Sequence, residues 1–148
     1  MNRCLLRLFG KPRWPRSEQP LNPPSHIGTI YATIEAMIDL REYLEARGRS
    51  PFREWRNRLN VEARQKVTVA LYRIGLGNFS NVKGVGTGVF ECRINFGPGY
   101  RVYFGKDGEE IVILLGGGTK HGQRNDIHLA QERWRDYKLR RKEQKDED

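Results

Sequence analysis

Residues 77–126 read GNFSNVKGVGTGVFECRINFGPGYRVYFGKDGEEIVILLGGGTKHGQRND. This stretch encodes three consecutive strands joined by tight glycine turns. From Val89 to Phe96, Phe90, Cys92, Ile94 and Phe96 alternate with Glu91, Arg93 and Asn95, the period of a strand with one apolar and one wet face. Gly97-Pro98-Gly99 reverses the chain into a strand from Tyr100 to Phe104, on which Arg101 and Tyr103 share a face. Asp107-Gly108 is a hairpin turn, and the unbroken apolar run Ile111 to Leu115 predicts a central strand covered on both sides. Gly116-Gly117-Gly118 then release the chain into the loop Thr119 to Gln123. Arginines stand where a half-buried strand faces water. A small sheet with a cationic exposed face is suited to holding phosphates, so nucleic acid is the first partner to consider.

Upstream of this stretch, Ser50-Pro51 opens a helix with a cap residue and a proline at its first position. Phe52, Trp55 and Leu59 give that helix an apolar face. Asn60 caps a second helix with the stripe Ala63, Val67, Ala70, Leu71 and Ile74, ended by Gly75 and Gly77. The two form a hairpin. Residues 34–43 fit either a strand or a helix. Downstream, a last helix begins near Asn125 or Asp126, with Asp126 as its simplest cap and Ile127, Ala130 and Trp134 facing inward. Residues 139–148 read as a charged, solvated tail, the fraying end of that helix. Five prolines between Pro12 and Pro24 mark residues 1–32 as a flexible extension, and Met37 is an alternative start. The expected class is therefore α+β, with helices on one face of a small twisted antiparallel sheet and a single domain over 33–138.

Bulk properties agree. A chain of 148 residues suits one core, and a net charge of +9 with a pI near 9.9 favours polyanions. The 10% aromatic content supports a folded domain despite a mean hydropathy of −0.74. Two cysteines, Cys4 and Cys92, do not make a disulfide framework, which fits a reducing cytoplasm. No apolar run approaches the roughly 20 residues of a membrane span. His26, His121 and His128 show no metal-ligand spacing, and neither a phosphate loop nor a dinucleotide fingerprint occurs. The expectation is no metal and no cofactor. GVGTG at 84–88 reads as a turn.

What remains is a cationic group of Lys83, Arg93, Arg101, Lys120 and Arg124, with Glu91, Tyr100, Tyr103 and His121 interspersed. Cleavage of RNA by its own 2′-hydroxyl needs orientation, charge neutralisation and proton movement, which arginines with a neighbouring tyrosine, histidine or glutamate can supply. Each member also has a structural alternative. Arg93 pairs equally well with Glu91 or Glu110, and Tyr103 can pack beneath the sheet edge.

GNFSNVKGVGTGVFECRI, GPGYRVYF and IVILLGGGTKHGQRNDI, in that order, resemble the RelE/ParE superfamily of bacterial toxins, in its HigB-like branch of addiction-module killer proteins. The resemblance covers Met37 to Tyr137 and implies a first strand within 34–43. It implies a toxin held by a cognate antitoxin, of helix-turn-helix type, that cuts mRNA on the ribosome without metal. The matching site positions are Arg101 and Arg93, then Lys120 and His121, with Glu91 or Tyr103 as further catalytic groups and Lys83, Arg124 and Tyr100 toward RNA. No tyrosine follows the GGG loop, so His121 takes the place of the general acid. A ParE-like branch implies instead inhibition of DNA gyrase by binding, through the hairpin from Phe52 to Ile74.

Overall fold

The computed structural model describes residues 37–148, so the extension expected over 1–32 lies outside the described residues. Strand β1 covers Asp39–Glu42. Ser50 then accepts the Arg53 amide at 3.0 Å and Pro51 takes the first helical position, opening helix α1, Pro51–Arg58. Asn60 repeats the device by accepting the Ala63 amide at 2.8 Å at the start of helix α2, Val61–Gly75. Replacing Asn60 with alanine leaves that amide without its cap, and should lower stability by about 1 kcal/mol in urea unfolding. Gly77, at φ +81°, turns the chain out of α2.

Strands β2 (Val82–Gly86), β3 (Val89–Ile94), β4 (Tyr100–Asp107) and β5 (Ile111–Thr119) follow as an antiparallel meander. The five described strands lie in the order β1-β5-β4-β3-β2. β1 pairs with β5 in parallel, Asp39 opposite Ile111 through Glu42 opposite Leu114. The expected purely antiparallel sheet is thus a mixed one. The helical hairpin carries the chain across the sheet from the β1 edge to the β2 edge, so β1 pairs with the last strand in the chain. Nothing local to DLRE encodes that direction.

The second correction concerns the layers. Helices cover both faces of the sheet. On one side Phe52, Trp55, Val67, Leu71 and Ile74 of the hairpin pack on Leu40, Cys92, Val102, Phe104 and Leu114. On the other, helix α3 (Gln123–Asp146) sets Ala130, Trp134 and Tyr137 on Val89, Tyr103, Ile113 and Leu115. The inward residues of α3 and the two covered faces of β5 match expectation. The alternation in β3 pointed instead to water on the Glu91 side, because polar residues stand there. Glu91 is buried beneath a helix, while Arg93 and Asn95 remain exposed as expected. α3 runs through Asp146, and Arg140 donates to the Leu44 carbonyl at 2.7 Å, while most residues from Lys142 onward are exposed, as expected of a solvated helix end.

β5 continues through Gly116–Gly118 instead of ending at Leu115. Close approach explains the three glycines. A Cβ on Gly117 would overlap the Trp55 indole, one on Gly118 would overlap the Asp126 carboxylate, and one on Gly116 would press on Arg133. A register shift opposite Tyr103–Phe104 leaves Leu115 as the extra residue of a bulge. The loop expected at 119–123 is a 3₁₀ turn over Lys120–Gly122, and α3 starts at Gln123. Asp126 is consequently not the cap. It sits in the first turn of the helix, over Gly118. Among the described residues no helix is long and apolar enough to cross a membrane.

Candidate nucleic-acid interface

Pairing in the sheet assembles the site in two rows. Lys83, Glu91, Tyr103 and Gly116 lie opposite one another across β2, β3, β4 and β5. Arg93, Arg101 and Gly118 form the next row on the same face. Two arginines directly across a strand pair repel, so the arrangement needs a carboxylate between them. Glu91 supplies it. It is fully buried, and its Oε1 meets Arg101 Nη1 at 2.6 Å, Arg93 Nε at 3.2 Å and Lys83 Nζ at 3.9 Å. Its Oε2 accepts from Gln123 Nε2 at 2.8 Å. Burial works against the charged carboxylate. The hydrogen bonds from Gln123 and Arg93 and the charges of Arg101 and Lys83 outweigh it, holding Glu91 below the usual carboxylate range.

One negative charge thus sits among three positive ones, and the surplus faces outward through Arg93 and Lys83, each about half exposed. Arg101 is buried with Nε unpaired, and the Tyr103 hydroxyl is buried beside Glu91. Burial, then the Glu91 and Asp126 charges, push the Tyr103 phenol well above its ordinary value. Asp126 is raised too, by burial, against the opposing charge of Arg133.

The nine residues expected at the site separate into three groups. Glu91, Arg93, Arg101, Tyr103 and Lys83 come together. Arg101 and Tyr103 lie beneath the start of α3, where Tyr103, 1% exposed, has no open face for a base to stack on. Lys120, His121 and Arg124 are exposed at the turn into α3, on the rim either side of Gln123, which reaches Glu91. Tyr100 stands apart. It points to the hairpin side, edge-on to Trp55 at 6.4 Å and stacked with Phe96 at 6.5 Å. Gln123 and Arg133, which donates to the Leu115 carbonyl at 3.0 Å, escaped the sequence reasoning. Gln123 shows no signal in sequence. Arg133 is readable only once Gly116 is known to lie under α3.

No three His, Cys, Asp or Glu side chains gather as a metal-ligand set among the described residues. No family model and no solved structure matches this chain. A Haemophilus influenzae protein described as uncharacterized is 42% identical over 80 residues, which span 53% of this chain and 81% of that protein. At that identity over four-fifths of the relative's length, this chain belongs to the same family as the Haemophilus influenzae protein.

Proposed function

We propose that this chain is the toxin of a type II toxin–antitoxin module, a cytoplasmic, ribosome-dependent endoribonuclease of RelE/ParE type that cuts mRNA through its own 2′-hydroxyl. The observation behind it is the Glu91-centred cluster, in which Arg93 and Lys83 carry surplus positive charge at the surface. Arg93 meets the scissile phosphate, and Arg101 supports it from below through their shared carboxylate. His121 on the rim carries the leaving-group proton. Tyr103, held neutral, is a donor available once the start of α3 lifts. The cognate antitoxin holds the protein inactive.

The structure changes which variant tests this best. Arg101→Ala would strip a buried carboxylate of its nearest cation, mixing stability with activity. Arg93→Ala acts at an exposed residue and is the cleaner probe. With programmed ribosomes and primer extension, cuts should fall within A-site codons and slow by about 10²-fold in Arg93→Ala, the scale for losing one transition-state donor. Arg101→Lys keeps the charge without the planar fork and should slow cutting while preserving the fold. Uncut mRNA with the wild-type protein defeats the proposal.

One observation favours the alternative, inhibition of DNA gyrase by binding. Val61, Val69, Tyr72 and Leu76 are 47–61% exposed along one side of α2. Under that reading Tyr72→Asp abolishes the block of supercoiling and Arg93→Ala leaves it intact.

A further inference from the structure

β2 ends its pairing at Val82, opposite Cys92, and the Arg93 amide is closed off by the Asn81 carbonyl at 3.0 Å. Beyond that point the end of β3 has no strand on its β2 side, while β4 still pairs with it on the other. A cleft of about 290 Å³ opens there, between α2 and β3 and roofed by residues 78–81. Ile74 and Phe96 belong to its apolar wall, Asn81 and Asn95 present exposed amides, and Lys66, Arg73 and Arg93 supply the charge. Lys66 lies 5.4 Å over the Phe96 ring. Among the described residues no carboxylate lines the cleft.

The cleft continues from the cluster on the other side of the sheet edge. Arg93 and Lys83 contact Glu91 and also line the neighbouring hollow along β2, which shares Ser80, Asn81, Val82 and Asn95 with the cleft. A strand gripped by Arg93 therefore passes its next unit directly toward the cleft. The lining suits a nucleotide. The partly exposed Phe96 ring meets a base face, carboxamides pair with a base edge in both directions, and cations hold phosphate.

Resting on the endonuclease proposal, we infer that this cleft binds one unpaired nucleotide of the RNA, adjacent to the one held at Arg93. Its base sits against Phe96, its edge is read by Asn95 and Asn81, and its phosphate lies on Arg73 and Lys66. The cleft then contributes sequence preference at one position beside the cut.

The test uses the full chain and fluorescently labelled eight-nucleotide single-stranded RNAs that differ at one position, followed by anisotropy. Asn95→Ala should weaken the preferred RNA by about tenfold and level the differences among bases at one position. Arg73→Ala should weaken all of them alike and reduce the salt dependence by about one phosphate contact. Both residues are exposed, so neither change disturbs the core. Two results would overturn the inference while leaving the endonuclease proposal standing. In one, mRNA is cut on ribosomes but the free protein holds no RNA. In the other, RNA is bound through Arg93 with Arg73 and Asn95 dispensable. RNA neither cut nor bound removes both. Poly-glutamate bound through Arg73 and Asn95, with RNA affinity unchanged in those variants, would reassign the cleft to an acidic protein partner and overturn the inference.

Discussion

Glu91→Ala should lower the free energy of unfolding by about 3–5 kcal/mol, because it leaves Arg101 buried without its carboxylate and sets Arg93 and Arg101 against each other across the strands. Glu91→Gln keeps the shape and one acceptor and should cost less. Glu91→Ala combined with Arg101→Met should recover part of the loss, since the buried charge leaves with its partner. Urea titration of the four proteins checks this. A Glu91→Ala penalty below about 1 kcal/mol would mean that water reaches the carboxylate and that the cluster is a surface network. The same group sets an acid limit. The folded carboxyl titrates below its ordinary 4.5, so its contribution is fully present above that pH and is lost as pH falls through the lower folded value. Glu91→Gln should flatten that part of the acid unfolding curve.

Much of this architecture was legible before any coordinates. The caps at Ser50 and Asn60, the stripe on α2, the alternation in β3 and the two-sided run in β5 are local patterns, and each is set by hydrogen bonding or burial within a few residues. The co-location of Glu91, Arg93, Arg101 and Tyr103 was legible as well, because it needs only period two and a hairpin register. Lys83 joined them by charge alone, since the residues after it read as a turn and not as part of the strand Val82–Gly86. The failures share a cause. The direction of β1, the cover over Glu91 and the glycines of β5 are fixed by elements far away in sequence. Four residues, DLRE, do not encode a parallel partner more than seventy positions on. A buried Glu91 reads as a wet one until α3 is known to lie over it, since a polar residue in alternation has the same signature whether water or a partner satisfies it. Gly117 looks like a strand end because the indole that demands it comes from α1.

The other large effect should come from the contact that seats α3. Trp134 is 5% exposed, stacked on Tyr137 with ring centres 5.3 Å apart, and lies on Gly105 of β4 so closely that a Cβ there would enter the indole. Trp134→Ala should cost about 3–5 kcal/mol, combining the lost burial of an indole with the hole left over a glycine that has no side chain to fill it. Gly105→Ala should cost about 1–3 kcal/mol by the opposite route, forcing the helix off the sheet. The double substitution separates the two mechanisms. With the indole gone, the new methyl enters vacated space, so the pair should unfold with less than the sum of the single penalties. Additive penalties would show that the ring and Gly105 do not share that space. The contact reaches the site because the helix that Trp134 anchors also brings Gln123 to Glu91. Loosening α3 at its middle should free its first turn, so Trp134→Ala should increase hydrogen exchange at the Ile127 and His128 amides, which bond back to Gln123 and Arg124, before the sheet itself opens. Tyr103 would become accessible in the same step.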